Sequence, residues 1–221
     1  MKRTSFSAPP VGCFLGIEGI LYLVFLLLDV SGRGENTLWL KYAGILLCLV
    51  FATFCVLRGG DRLVAPALLF TAGADWFLLI RNEHLLLGVA LFLCVQALYY
   101  LRLHRAGGCR KLLWLRLTLA VVFTLAPFLI PGMATPLNLL AMLYFSQLLS
   151  NTVLAWTLPD MRIFALGLTL FVGCDLCVGL FNILPTASPL FSAVSVGMWF
   201  FYLPSQVFIA LSARSKGGNT T

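Results

Sequence analysis

The segment Phe70–Ile80, FTAGADWFLLI, places a single aspartate in an otherwise apolar run, and most of the chain is as apolar as this segment. Of the 221 residues, 61% are hydrophobic and only 10% are charged, whereas about 25% of residues are charged in an ordinary soluble domain. About 20 consecutive apolar residues suffice to cross a bilayer as a helix. The sequence therefore predicts an all-α, polytopic membrane bundle.

Apolar runs separated by Gly, Pro and charged residues divide the chain into about eight membrane-spanning helices. The first run follows two basic residues like a signal peptide, but Glu18 and Asp29 interrupt it, so we interpret it as a retained helix. We predict one integral membrane domain, residues 1–221, with halves at about 11–103 and 112–213. The predicted spans are Val11–Val30, Leu38–Leu57, Leu63–Ile80, Leu85–Leu103, Leu112–Ile130, Met133–Leu158, Arg162–Ile183 and Leu190–Ala213.

The basic residues predict how these helices are oriented. With an even number of spans both termini share a side, and that side receives most of the Lys and Arg residues, including the loop RLHRAGGCRK at 102–111. The other side receives only Arg33, Lys41 and Arg81. The positive-inside rule therefore predicts cytoplasmic termini, in the cell membrane if the protein is bacterial. We expect no nucleic-acid partner despite the net charge of +7, because the basic residues lie between hydrophobic spans.

Two similar segments indicate an internal repeat. FTAGADWFLL (70–79) in the third span and LFVGCDLCVG (170–179) in the seventh both contain Gly-x-Asp, at similar depth in helices that run in the same direction. The helices that follow match more weakly, as FLCVQALYY (92–100) and YLPSQVFIALS (202–212). We therefore expect two parallel four-helix halves related by an axis along the membrane normal.

The repeated aspartates, Asp75 and Asp175, are the strongest candidates for function. A charged carboxylate near the bilayer centre costs about 2.5 to 3.5 kcal/mol, so it usually faces the bundle interior and often marks a functional site. Two carboxyl groups in one low-dielectric cavity do not both ionise easily, so one can stay protonated. The structural alternative is that each aspartate only joins helices, through a hydrogen bond to a neighbouring helix that stabilises the bundle by about 1 kcal/mol. Glu18 either shares this cavity or snorkels toward the cytoplasmic face.

Several kinds of chemistry lack their residues in this sequence. The two histidines, His84 and His104, lie near predicted helix ends, so a buried Ser-His-Asp triad or a His-rich metal site is not expected. Cys174 and Cys177 have the spacing of a metal or redox pair, but no second pair accompanies them, and helix packing is the better interpretation. We expect no metal and no cofactor. Acid–base chemistry by carboxylates, or binding, remains.

The order of the polar residues resembles the YhhN-like lysoplasmalogenase family from about Lys41 to Ser212. The matching segments are Lys41 in the second span, GAD in the third, FLCVQALYYL in the fourth, GCD in the seventh and YLPSQVFIALSARS in the eighth. This resemblance implies a multi-span enzyme without a cofactor, which hydrolyses the vinyl-ether bond of lysoplasmalogens to a fatty aldehyde and a glycerophospho-base. It implies catalytic roles for the two aspartates and contacts of Lys41, Tyr202 and Gln206 with the lysophospholipid substrate.

One position departs from the pattern of this family. The fourth span of the family commonly has His followed three residues later by Tyr, and this chain has Gln96 and Tyr99. We expect both side chains to contact the substrate, although Gln cannot shuttle a proton. Two alternatives to an enzyme therefore stay open. One is a small-solute or proton-coupled carrier, since midplane carboxylates also suit transport, and the other is a catalytically inactive lipid-binding relative.

Overall fold

A computed structural model describes residues 11–32, 37–107 and 112–214. The described part is all-α and contains eight helical spans long and apolar enough to cross a membrane, which confirms the predicted fold class. The basic residues expected before the first span, Arg33, and the loop residues 108–111 lie outside the described ranges. The helices are α1 (Val11–Val30), α2 (Leu38–Leu57), α3 (Val64–Asp75), α4 (Leu85–Arg105), α5 (Leu112–Leu125), α6 (Pro136–Trp156), α7 (Arg162–Ile183) and α8 (Pro189–Leu211).

Two of the predicted spans differ from the observed helices in an informative way. The sixth span was expected from Met133, but α6 begins at Pro136 because the Thr135 side chain accepts a hydrogen bond from the Asn138 backbone N–H. Proline suits the first turn of a helix, where its missing N–H leaves no bond unmade. The third span changes at Asp75 from α-helix to a π-helical segment, Trp76–Arg81. Single π-helical turns occur frequently at functional sites.

Six of the helices form a ring. In order around it are α2, α3, α4, α6, α7 and α8, with α8 closing against α2. The first helix, α1, packs on the outside against α2 and α8, and α5 packs on the outside against α6. The third and seventh spans therefore lie on opposite arcs of the ring, with α8 in contact with both.

The glycines of the two Gly-x-Asp segments occupy corresponding positions in the two halves. A Cβ atom on Gly73 would lie 3.5 Å from Leu91 of α4, and one on Gly173 would lie 3.2 Å from the Phe201 ring of α8. Leu91 and Phe201 are themselves matched, since each precedes the glutamine of its helix by five residues. This is the packing that two parallel four-helix halves would give, and the division into halves stays a prediction.

The end of the ring that contains the α2–α3 loop is closed by a buried arginine. Arg102 of α4 is 4% exposed, and its Nε donates to Asp61 Oδ2 at 2.6 Å. Its Nη2 donates to the Ser212 carbonyl at 2.6 Å and its Nη1 to Ser212 Oγ at 2.7 Å. The guanidinium also lies 4.3 Å from the centre of the Phe164 ring. One side chain thus ties α4 to α7, to the end of α8 and to the α2–α3 loop.

The proline inside α8 does not break that helix. Pro204 has no N–H to donate to the carbonyl of Phe200, four residues earlier. The Tyr22 hydroxyl of α1 donates to that carbonyl at 3.2 Å. A neighbouring helix therefore replaces the missing backbone bond, as is usual for proline in membrane helices.

Candidate active site

Asp75 lies at the transition between the α-helical and π-helical parts of the third span, and its side chain faces α8. The residue is 5% exposed, and its Oδ2 accepts a hydrogen bond of 2.5 Å from the Tyr202 hydroxyl. A tyrosine hydroxyl that donates to a buried carboxyl group stabilises negative charge on that group. Asp75 is therefore equipped to serve as an anion inside the bundle.

Asp175 of α7 has different surroundings. The residue is half-buried, and its Oδ2 has no hydrogen-bond partner among the described residues. Tyr144 of α6 approaches Asp175 closely enough for a weak hydrogen-bonding interaction, but the contact lacks the short, well-aligned geometry of the Tyr202–Asp75 bond. A buried polar atom without a partner is uncommon and calls for a functional explanation. A bound substrate or water molecule would satisfy it.

The two aspartates belong to one electrostatic environment. Their carboxyl groups are within range of mutual repulsion, and Cys174 is close enough to interact electrostatically with both. The rings of Phe171 and Tyr202, with centres 5.5 Å apart, pack in the same region. The expectation that the third and seventh spans present their aspartates to one region of the bundle agrees with this geometry.

The repeat is broken where the aspartates meet their tyrosines. Tyr202 lies four residues before the glutamine of α8, and the residue in the same place before the glutamine of α4 is Phe92. Phe92 has no hydroxyl to donate, and its ring packs against Tyr144 and Phe171 with centres 5.6 and 5.7 Å away. The two carboxyl groups are therefore chemically unequal.

Lys41 is a buried member of an ion pair. Its Nζ lies 2.8 Å from Asp29 Oδ2, and the two side chains are 6% and 8% exposed. The Thr37 hydroxyl donates to the other oxygen of Asp29 at 2.8 Å. The ammonium group also lies 4.6 Å from the Trp199 ring centre and 5.7 Å from that of Phe25. An interfacial anchor, the ordinary explanation for a lysine at a helix start, would be exposed.

A cavity of about 160 Å³ opens beside this ion pair. The aspartates of α3 and α7 do not line it, but Trp199 connects the two regions because its ring meets that of Tyr202 edge to face at 5.6 Å. The cavity thus lies two aromatic side chains away from the carboxyl group of Asp75. The lining residues are Asp29, Lys41, Ser195, Val196 and Trp199.

Gln96, one of the predicted substrate contacts, is engaged in a polar chain between helices. Its side-chain and backbone oxygens both accept from Asn151 Nδ2 of α6 at 2.9 Å, and Asn151 Oδ1 accepts from Arg116 of α5 at 3.0 Å. Its Nε2 has no partner within the described ranges. Gln96 therefore joins α4 to α6, and no hydrogen bond places it with the aspartates.

The remaining predicted contacts are buried in the bundle. Tyr99 packs edge to face on Phe164 at 5.0 Å. The Gln206 amide donates to Ser205 Oγ at 3.2 Å. The Tyr99 hydroxyl interacts weakly with Thr71 of α3, and Gln206 Oε1 lacks a partner in the described part of the chain. Of the predicted site residues, hydrogen bonding unites only Asp75 with Tyr202, and Trp199 links that pair to Lys41.

Glu18 does not snorkel toward the membrane surface. It is 3% exposed, and its Oε1 accepts from the Cys48 thiol at 3.2 Å. A Cβ atom on Gly44 would lie 3.2 Å from Glu18 Oε2 and 2.8 Å from Leu203, so this carboxyl group is enclosed between α1, α2 and α8.

Three residues of this region were not predicted as site candidates. Asp29 was noticed only because it interrupts the first span, yet it ends α1 just as Lys41 begins α2, so the two opposite charges had to lie at the same membrane level. Tyr144 was recognisable as a tyrosine near the middle of the sixth span. Trp199 carried no signal, because a tryptophan in a membrane helix is ordinarily an interfacial residue.

Comparison with protein families supports the resemblance found in the sequence. The model of the YhhN family matches residues 36–213. This range contains Lys41 and both repeated aspartates but not Asp29. Comparisons with curated proteins and with solved structures found no match.

Proposed function

The chain belongs to the YhhN family, and from that premise we propose that it is a membrane-embedded hydrolase of the lysoplasmalogenase type. The family includes lysoplasmalogenases. The observation that carries the proposal is the pair of aspartates inside the bundle, within range of mutual repulsion, of which one accepts a short hydrogen bond from a tyrosine and the other does not. The substrate is a lysoplasmalogen, cleaved at its vinyl-ether bond.

The reaction needs one proton donor and one anion. Hydrolysis begins when the vinyl carbon remote from the ether oxygen takes up a proton, which leaves an oxocarbenium-like centre beside the oxygen. Water adds to that centre, and the hemiacetal collapses to a fatty aldehyde and the glycerol hydroxyl. A general acid provides the first step, and a fixed negative charge stabilises the cation that forms.

The unequal surroundings of the carboxyl groups assign the two roles. Asp175, which Tyr144 approaches without a short hydrogen bond, supplies the proton to the vinyl carbon. Asp75, held by the Tyr202 hydroxyl, is the anion that stabilises the oxocarbenium-like centre and orients the attacking water. The proton that this water loses restores the acid. Division of labour between two carboxyl groups by their environments is a general pattern in hydrolases.

The position of Gln96 supports activity rather than inactivity. An amide at this position cannot shuttle a proton, but its oxygen is occupied by Asn151 and no hydrogen bond connects it to either aspartate. The proposed reaction passes no proton through residue 96. The loss of a histidine there is therefore compatible with catalysis by the aspartates.

A proton-coupled carrier is the second candidate function. The observation that favours it is a bundle joined at one end by Arg102 and provided with a cavity beside Lys41 near the other. Such an arrangement also suits one state of an alternating-access carrier.

The test is aldehyde release by the purified protein from a panel of lysoplasmalogens that differ in headgroup. The double variant D75N/D175N serves as the inactive control. Hydrolysis that persists with chelators and without any ion gradient is the expected result. Gradient-dependent uptake into vesicles without aldehyde release would establish the carrier instead.

A further inference from the structure

The buried ion pair beside the cavity is not used by the proposed reaction. Asp29 and Lys41 lie at the membrane level where α1 ends and α2 begins, and the cavity that they line also reaches Ser195 and Trp199 of α8. Lys41 Nζ is 4.6 Å from the Trp199 ring centre. A positive group, a negative group and an aromatic face therefore meet in one partly enclosed space.

We propose that this cavity is the headgroup site for a zwitterionic lysophospholipid, with Lys41 paired to the phosphate and Asp29 and Trp199 to the ammonium. The inference rests on the proposed function, whose glycerophospho-base product already implies such a headgroup, and it adds the place in the bundle and the residues that hold the phosphate and the ammonium. When the headgroup binds, the internal ion pair opens and two ion pairs with the ligand replace it.

Charge balance selects a zwitterion over other headgroups. A buried charge that loses its partner is strongly unfavourable. A headgroup with phosphate alone would take Lys41 and leave Asp29 buried without its counterion, repelling the phosphate. A neutral headgroup would give neither residue a partner better than the existing one. A zwitterion satisfies both charges, so the pair attracts one ligand class and disfavours the others.

The aromatic residues fit the cationic half of such a headgroup. Recognition of quaternary ammonium groups by aromatic faces is a recurrent use of the cation–π interaction. The Trp199 ring already holds the Lys41 ammonium in this structure, and the same face becomes available when Lys41 turns to the phosphate. Phe25, 5.7 Å from Lys41 Nζ, adds a second ring.

The position of the cavity relative to the aspartates suits the substrate. The vinyl ether of a lysoplasmalogen is joined to the same glycerol as the phosphate, so the two must bind close together. Trp199 contacts Tyr202, and Tyr202 holds Asp75. A headgroup beside Trp199 would therefore place the glycerol near the aspartates and direct the hydrocarbon chain into the bundle or the bilayer.

Binding of saturated alkyl-ether analogues tests the site, because these lack the vinyl bond that the proposed reaction cleaves. The full chain in maltoside micelles is titrated by calorimetry with alkyl lysophosphocholine, alkyl glycerophosphate and alkyl glycerol. The wild type should bind the phosphocholine about tenfold tighter than the glycerophosphate, a difference expected for one hydrogen-bonded charge. D29N should abolish or invert this preference, and W199F should weaken only the phosphocholine.

The matched control is E83Q, which removes a carboxylate from an exposed ion pair with Arg81 at the same end of the bundle. It should keep the wild-type preference. The ratio of two affinities within one variant does not depend on the fraction of protein that is folded, so partial loss of folding in D29N leaves the test intact. A D29N protein with the wild-type ratio would overturn the proposal.

Two further comparisons distinguish a substrate from a bilayer lipid, and failure of this inference from failure of the proposed function. Competition by diacyl phosphatidylcholine as strong as that by the lyso compound would assign the site to a bilayer lipid and overturn the substrate assignment. A wild type that hydrolyses no vinyl ether but shows the charge-dependent preference would refute the proposed function while this inference stands. Hydrolysis with no headgroup preference would do the reverse.

Discussion

At the scale of single residues, the two aspartates differ mainly in the hydroxyl group that each one receives. Tyr202 donates to Asp75 at 2.5 Å, whereas the hydroxyl of Tyr144 approaches Asp175 without making a short, well-aligned hydrogen bond. If the aspartates served only to join helices, the oxygen of Asp175 that lacks a partner would destabilise the bundle without contributing to helix association. A catalytic pair explains both the satisfied and the unsatisfied group.

Substitution of each aspartate by asparagine should remove most turnover while the protein stays folded. Asparagine is nearly isosteric with aspartate but can neither supply the acidic proton nor carry the charge. General acid catalysis contributes about 10²- to 10⁴-fold, which sets the loss expected for D175N. Because both residues serve one step, D75N/D175N should be hardly slower than the slower single variant. Aldehyde release and thermal unfolding are measured for all three, and near-wild-type turnover in either single variant would refute the catalytic pair.

Removing the two tyrosine hydroxyls should have unequal effects. Y202F deletes the hydrogen bond to the proposed anion, and a bond to a charged group is worth about 1.5–3 kcal/mol, so turnover should fall about 10- to 100-fold. Y144F deletes a weaker contact with Asp175 that lacks the geometry of a short hydrogen bond, and turnover should change by less than about threefold. Both variants keep the ring packing on Phe171. Equal losses in the two variants would contradict the assignment of roles.

The sequence identified the chemistry of the site better than its shape. Asp75 and Asp175 could be predicted because buried carboxylates are costly and the pair is repeated. Tyr202 was singled out by the repeat and by the resemblance, although a tyrosine in a membrane helix also has an ordinary interfacial explanation. The engagement of Gln96 with Asn151 could not be predicted, because it depends on how α4 rotates against α6. Side-chain partners across helices are set by packing, which short apolar motifs do not specify.

At the scale of helices, small residues decide which spans approach closely. A Cβ atom on Gly167 of α7 would lie 2.8 Å from Ile209 Cγ1 and 3.0 Å from the Ser205 carbonyl of α8. One of these contacts is with backbone, which cannot move aside easily. Close approach of two helices through glycine is a common means of association in membranes, where burial of apolar surface gives little driving force. The α7–α8 pair carries both Asp175 and Tyr202.

A methyl group at Gly167 should therefore destabilise the protein, whereas the same change elsewhere in α7 should not. Overpacking costs about 1–3 kcal/mol, so G167A should lower the thermal midpoint. Gly179 lies in the same helix with nothing within 4 Å of its added Cβ, and G179A is the control. Alanine favours a helix over glycine by about 0.5–1 kcal/mol, so this control should be neutral or slightly stabilising. Equal midpoints for the two variants in the same micelles would show that the close contact is not limiting.

The ends of the helices were less predictable than their existence. Length and hydropathy fixed the spans Leu38–Leu57 and Arg162–Ile183 to the residue. The helix α6 begins at Pro136, later than predicted, because Thr135 caps the helix and proline occupies its first position. Apolar content alone does not indicate a cap or a proline start. The π-helical segment after Asp75 could not be predicted, because its sequence, WFLLIR, is as suited to an α-helix.

At the scale of the whole molecule, the bundle has two unlike ends. One is joined by Arg102, Asp61 and Ser212 in a network of short hydrogen bonds. Near the other, the cavity beside Lys41 lies between α1, α2 and α8. A lipid would then enter at the end with the cavity, and the direction in which that end faces decides which leaflet supplies the substrate.

The distribution of basic residues predicts that the end with the cavity faces away from the cytoplasm. The Arg102 end carries most of the described cations, and the positive-inside rule retains such an end in the cytoplasm. The opposite end contributes Lys41, which is neutralised by Asp29, and Arg81, which pairs with Glu83. The cations at the Arg102 end are Arg58, Arg62, Arg102, Arg105, Arg116, Arg162 and Arg214.

Thiol labelling of single-cysteine variants in intact cells or sealed vesicles tests this orientation directly. In a background where the seven native cysteines are replaced, E83C should react with a membrane-impermeant thiol reagent added from outside, because the exposed Glu83 lies in the turn before α4. T157C, exposed in the turn after α6 at the Arg102 end, should react only after the membrane is permeabilised. Both variants should be labelled once detergent is added, which controls for accessibility of the thiol. The reverse pattern would place the cavity on the cytoplasmic side and make the inner leaflet the source of the lipid, with the arrangement of Asp75, Asp175 and Tyr202 unchanged.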